Sequence, residues 1–300
     1  MLIKQLPDKQ FLSTLNSGHL AIAIGDFWFS LRSSIAALYS PLQQLYRDYP
    51  CSISASDTLC DARIGVEAKR NYFSRQARFI WEDSAPFPAL PISQAHPLFE
   101  WGLNWAVATM AGQRIVIHSA VLERNGKALL LPGEPGSGKS TLCAALAFSG
   151  WRLLSDELSV INPMTHEVHP YPRPISLKNE SIDIIARNFP SVYLTEPISD
   201  TRKGSIAYAR PDEFAVAASY RPAPIGHVIF PKFSTNGAFE FTPMSRAQTL
   251  SKLLENTFNV GILGQTGFVG LATSLLEAQC YAFSYGSLEE ALEGIAELCP

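Results

Sequence analysis

Residues 133–141 read GEPGSGKST, and SDE follows at 155–157. The first string fits G-x-x-x-x-G-K-[ST] in full. Its glycines let the backbone wrap an anion with N–H groups, and a helix beginning at the lysine turns the positive end of its dipole toward the same anion. The chemistry expected of such a loop is the holding of a nucleoside triphosphate. Gly133, Glu134, Pro135, Gly136, Ser137, Gly138 and Thr141 line the phosphates, Lys139 reaches the β- and γ-phosphates, and the Ser140 hydroxyl coordinates Mg2+. ATP and Mg2+ are the cofactors this implies.

The acidic pair, Asp156 and Glu157, stands at the carboxyl end of the strand expected at 151–155. Ligands of open α/β sheets bind at that end of the strands. Neighbouring strand residues face opposite sides, so the two carboxylates are expected to do different work. One faces the metal or the acceptor, and the other caps or braces a loop. A polar strand end in solvent is the plain alternative.

The elements that must position these groups can be followed outward from the loop. The stretch 114–133, RIVIHSAVLERNGKALLLPG, has two apolar runs around Asn125-Gly126. Asn-Gly is the preferred pair of a two-residue type I′ hairpin turn, because both residues need positive φ. With Arg124 opposite Lys127, the ladder runs back to set His118 across from Gly133. A histidine in IVIHSAVL would otherwise be an ordinary sheet residue; the register brings it to the rim of the loop, where it can add a hydrogen bond or a positive charge. Strand 128–132, a helix from Lys139 to Phe148 ended by Gly150, and strand 151–155 form a strand–helix–strand unit expected to be parallel.

Strands are also expected at 225–233 and 280–286. Helices are expected at 245–258 and 287–298, the latter with a Ser287–Glu290 capping box. Upstream, 19–33 is strand-like with a turn at Gly25-Asp26, 41–49 has helical spacing, and 71–83 alternates like a strand or hairpin. The Pro-rich 85–97 is the expected linker, and 98–112 a helix leading into the second domain.

The bulk composition narrows the function classes. The chain has 300 residues, is 47% hydrophobic and 17% charged, and carries a net charge of −3. It can bury a sizeable core, and without a long basic run it is not expected to bind nucleic acid. The five cysteines form no CxxC pair, and the first ten residues have no apolar stretch of the kind found in secretory signals. Both point to a reducing cytoplasm rather than to disulfides or a zinc site. From Glu255 to Glu277 no residue is charged. Polar side chains and four glycines there point to two buried segments with a Gly-rich bend, not to a membrane span.

The run from His118 to Glu157 resembles the catalytic domain of bacterial HPr kinase/phosphorylase. That family has a histidine-containing strand, a glycine-rich A-type loop and an Asp-Asp pair on the next strand; here IHSAVL, GEPGSGKST and LLSDE stand in the same order. It looks most similar to the HPr kinase-related "kinase A" group associated with exosortase gene clusters. Phosphoenolpyruvate carboxykinases and the kinases of lasso-peptide precursors share that fold.

The resemblance implies an α/β fold, with a P-loop kinase domain of the HPr kinase/phosphoenolpyruvate carboxykinase type over 96–300. A smaller N-terminal α+β region over 1–95 is then a possible partner-recognition layer. It implies that Asp156, with Lys139 and His118, is catalytic and acts on an acceptor serine hydroxyl. Glu157 takes the place of the second aspartate and joins Ser140 as a candidate metal ligand. The family's Arg-Gly-Leu-Gly segment has no counterpart. YPRPISLKNE (171–180) stands in its place, with Arg173 and Lys178 as basic candidates for the nucleotide or else as surface charges. Arg202 and Lys203 are read as a solvated loop, with contact to phosphate or to a partner as the alternative.

The function expected is an ATP-dependent kinase that moves the γ-phosphate to a hydroxyl, a serine of a protein or peptide, and the resemblance adds a homo-oligomer as a possible assembly. The alternatives are a small-molecule kinase or carboxykinase-like enzyme, an ATP-hydrolysing switch, and a nucleotide sensor without turnover.

Overall fold

Asn125 and Gly126 both take left-handed backbone angles, φ 51° and 78°. They turn strand Ile115–Arg124 back into strand Lys127–Pro132, with Arg124 opposite Lys127 and Ser119 opposite Pro132. One further step along this ladder sets His118 at Gly133, as the turn chemistry requires. The computed structural model describes residues 1–54, 59–70, 75–134, 136–235 and 237–299.

Strand Lys127–Pro132 has a parallel neighbour, Ala223–Phe233, which has Gln279–Tyr285 parallel on its other side. The carboxyl ends of all three converge where the chain leaves for helix Lys139–Phe148. Val121, Leu130 and Val228 pack on one face of this sheet, and Leu129, Leu131 and Ile229 on the other. Both faces are therefore covered, as parallel strands require. Helix Lys139–Phe148 lies on the second face, with helices Glu180–Asn188 and Leu288–Leu298 beside it.

The long strand Ile115–Arg124 has two partners along its other edge. Its far half pairs Arg152–Ser155 and its near half pairs Leu158–Ile161, both antiparallel. Ser155 lies opposite Val121 and Leu158 opposite His118, so the register carries across Asp156-Glu157, and it shifts by one residue at Leu154, beyond which Leu153 lies opposite Leu122. Strands Lys127–Pro132 and Arg152–Ser155 do run in the same direction, but Ile115–Arg124 lies between them.

The first part of the chain forms its own mixed sheet from Cys51–Ser52, Leu20–Ile24, Phe27–Ser33, Ala62–Arg70, Arg75–Trp81 and Leu90–Pro91. Helix Asp8–Ser17 and the short helix Tyr39–Leu45 accompany it. The expected strand or hairpin over 71–83 is described only from Arg75, and residues 71–74 lie outside the described residues. A third sheet joins Ile175–Lys178, Gly204–Ala209 and Ile198–Thr201. The chain is thus a mixed α/β protein with several sheets.

Two expectations need correction. The Pro-rich stretch 85–97 is not an open linker: it holds strand Leu90–Pro91 and the first turn of helix Ala95–Met110. Pro97 is tolerated there because the N–H groups of a first turn have no intrahelical acceptor. The helix packs on the N-terminal sheet, and its Leu98, Phe99, Leu103 and Val107 share one core with Phe11, Phe29 and Phe79, and also with Leu158 and Tyr208.

The charge-free stretch after Glu255 does hold two helical segments, within Val260–Ser274 and broken at Gly264 (φ 58°), but the first of them is exposed rather than buried. Ile262 is 83% exposed. Among the described residues no helix is long and apolar enough to cross a membrane. All five cysteines are free.

Candidate functional site

The loop is built against the ends of the parallel strands. Ser137 N donates to Glu134 O at 3.2 Å, and Phe233 N donates to Ser137 O at 3.0 Å. Gly138 has φ 88° and is the N-cap of helix Lys139–Phe148. A Cβ on it would lie 2.5 Å from the Tyr285 hydroxyl and 2.9 Å from Phe233 Cβ, so only glycine fits. Gly136 shares the left-handed conformation (φ 89°) but faces open space. Successive N–H groups turned this way and leading into a helix N-terminus make an anion-binding concavity. Ser137 Oγ is buried with no hydrogen-bond partner among the described residues, a donor left over for a ligand. Pro135 lies outside the described residues. Ser140 is half-buried on the first turn, and Thr141 Oγ1 shares a 2.7 Å hydrogen bond with Ser181 Oγ on the neighbouring helix.

Lys139 and His118 meet. Lys139 Nζ lies 3.0 Å from His118 Nε2. An ammonium can only donate, so Nε2 accepts and the imidazole carries its proton on Nδ1. Burial, and then the Lys139 charge, push His118 down to about 4. His118 is therefore a neutral acceptor here, not the positive charge that was one option from its position. Lys139 is itself buried. Desolvation draws its ammonium down to about 8, against the Glu157 and Asp156 carboxylates, which favour the charge. At neutral pH it is a cation at the mouth of a helix.

The acidic pair divides its contacts as a strand's alternation predicts. Asp156 is 2% exposed, and its Oδ2 accepts from Ser176 N at 3.0 Å. Burial, and next the Glu157 charge, push its carboxyl up to about 7. Glu157 turns to the other side, where its Oε2 accepts from Asn104 Nδ2 at 2.5 Å and its Oε1 is 3.9 Å from Lys178 Nζ. Burial opposes its charge, but Lys178, Lys203, Arg173 and Lys139 together hold it below the usual carboxylate range. Of the pair, Asp156 is thus the one that gains and loses a proton near neutrality, while Glu157 stays charged.

Of the other candidates, Lys178 reaches the acidic pair, and Arg173 is bonded to Asn104 Oδ1 and Glu100 Oε2. With 3% exposure Arg173 is a buried cation with a buried counter-ion, and it touches the site through Asn104. Lys203, read as part of a solvated loop, sits at the turn between Ile198–Thr201 and Gly204–Ala209. Its ammonium lies 5.7 Å from the Trp101 ring centroid, and its charge acts on Glu157.

Glu100 and Asn104 were missed from sequence. Their signal was there: His96, Glu100 and Asn104 recur every fourth residue, a polar line along an otherwise apolar helix.

No family model matches the chain, and no curated protein matches it. Among solved structures, the HPr(Ser) kinase/phosphatase from Coxiella burnetii aligns at 15% identity. The alignment covers 61% of this chain and 96% of that one, with a TM-score of 0.28. This is a distant likeness.

Proposed function

We propose that the chain is an ATP-dependent phosphotransferase, with a P-loop kinase domain over 96–300 and a hydroxyl, a serine of a protein or peptide, as acceptor. The observation that carries this is the buried Asp156, poised near neutrality beside a helix N-terminus that bears Lys139. A carboxyl tuned to about the working pH is suited to taking a proton.

The residues fit a magnesium nucleotide. Among the described residues no three His, Cys, Asp or Glu side chains come together to hold a metal. Mg2+ is held by one or two protein oxygens and by the phosphates of its substrate. Ser140 and Glu157 would be those protein ligands. The positive-φ glycines, the orphaned Ser137 Oγ and Lys139 suit the phosphates. Bound Mg2+-ATP would supply the transferable phosphoryl group and neutralise part of its charge.

The chain's own residues do the rest by position and charge. Lys139 leaves His118 Nε2 for a phosphate oxygen, and His118 remains as a neutral acceptor at the rim. Asp156 orients the acceptor hydroxyl and takes its proton late, worth about 10²–10⁴-fold in rate. The test is incubation of the purified protein with γ-labelled ATP, Mg2+ and a lysate of its source cells. Label in a polypeptide supports the proposal, and label in a small metabolite moves the acceptor to that class. Free phosphate alone, or no turnover, refutes transfer.

A further inference from the structure

The polar line along helix Ala95–Met110 ends on the acidic pair, and each of its links has only one chemically allowed sense. Arg173 can only donate, so the Asn104 side-chain oxygen must face it, and that leaves the Asn104 NH2 for Glu157. The reversed amide would set donor against donor and acceptor against acceptor. Arg173 is held in turn by Glu100, 1% exposed, whose carboxylate also accepts from Tyr46 Oη at 2.9 and 3.0 Å and lies 3.3 Å from His96 Nε2. The chain of bonds therefore runs Tyr46, Glu100, Arg173, Asn104, Glu157. It begins in the N-terminal region and ends on one oxygen of a candidate metal ligand.

We infer that Asn104, locked by the buried Arg173–Glu100 pair, is a positioning residue that holds Glu157 Oε2 so that Oε1 is presented to the metal. This inference rests on the phosphotransferase reading. Its physical basis is that a glutamate at a strand break has three side-chain torsions to fix. The hydrogen bond to Oε2 is the short contact that fixes them, since Lys178 is 3.9 Å from Oε1. Outer residues that orient a ligand in this way commonly change metal affinity about 10-fold or more when removed. The same bonds make helix Ala95–Met110, which packs on the N-terminal sheet, a structural part of the site.

The test is a double-mutant cycle on Asn104→Leu and Glu157→Gln. It reads the Mg2+ concentration that half-saturates binding of a fluorescent ATP analogue, with the ligand-free melting temperature as a second readout. Asn104→Leu should raise that concentration about 10-fold and leave metal-free nucleotide binding unchanged. Added to Glu157→Gln, it should change the value by no more than about twofold, because its route of action is already gone. Full additivity overturns the positioning role while leaving the phosphotransferase reading intact. A wild-type chain that binds the analogue without regard to Mg2+, or not at all, overturns both. Asn104→Leu orphans Arg173, so Asn104→Asp is carried through the same cycle. It keeps an acceptor for Arg173, sets a carboxylate against Glu157 Oε2 in place of the donor, and must show the same non-additivity.

Discussion

Asp156→Asn should make the ligand-free protein more stable at pH 8 while removing its catalysis. The side chain is 2% exposed, its carboxyl is pushed from 3.8 up to about 7, and its hydrogen bond comes from Ser176 N. A folded-state value raised above the unfolded one means that folding favours the protonated form. The contribution of Asp156 is then fully present below about pH 4, fades between about pH 4 and 7, and is lost above that. A separation of about three units corresponds to roughly 4 kcal/mol at most, at about 1.4 kcal/mol per unit. Part of it is the repulsion from Glu157, so about 2–4 kcal/mol is the range expected at pH 8. Asparagine is neutral and nearly isosteric, and its Oδ1 keeps the Ser176 N–H bonded. At about 2 °C per kcal/mol for a chain of this size, the variant should melt roughly 4–8 °C above wild type at pH 8. The gap should narrow steadily as the pH is lowered to 5. Thermal melts of both proteins in EDTA across this range provide the assay. Equal melting temperatures at pH 8, or a gap that ignores pH, would refute the burial argument. Phosphotransfer by the same variant should fall about 10²–10⁴-fold.

The loop glycines offer a contrast that depends on space alone. Gly138→Ala forces a Cβ onto Tyr285 and Phe233, whereas Gly136→Ala meets nothing within 4 Å, and both have φ near +89°. The first should lose about 2–3 kcal/mol of stability and most nucleotide binding, and the second about 1 kcal/mol, read from melting and from nucleotide titration. Glu100→Gln leaves Arg173 a buried charge without a counter-ion and should cost about 3–5 kcal/mol, read by urea unfolding at pH 7. Burial alone would raise the Glu100 carboxyl, but Arg173 and His96 hold it below its ordinary value. Its stabilisation is therefore present above about pH 4.3 and lost as the pH falls through the lower folded value. Wild type should accordingly lose stability more steeply below pH 4 than the variant does.

The half of the site nearest the loop was legible because short-range rules govern it. Asn125-Gly126 commits the chain to a tight hairpin, and the turn alone sets the register that carries His118 to Gly133. The lysine that meets it lies only twenty-one residues on, at the first position of a helix that its glycines and apolar periodicity already mark. Ser287 caps the last helix through Glu290 N for the same local reason.

The other half lies beyond such rules. The strand past Ser155 looked like an end, yet it resumes at Leu158 because strand Ile115–Arg124 is long enough to pair both pieces. The exposure of Ile262 beside a bend at Gly264 was hidden by a charge-free stretch that composition alone takes for buried.

From the amino-acid sequence alone came the glycine-rich loop, its helix, the hairpin beside it and the placing of two carboxylates just after. Tertiary structure alone decided how those carboxylates differ. Asp156 is buried against Ser176, twenty residues away, while Glu157 is bonded to Asn104, fifty-three residues earlier. Behind Asn104 stands Arg173, whose partner Glu100 is seventy-three residues distant. Proton affinity follows burial and the field of charges, and those depend on which distant segments the fold packs together; no local pattern of residues carries that information.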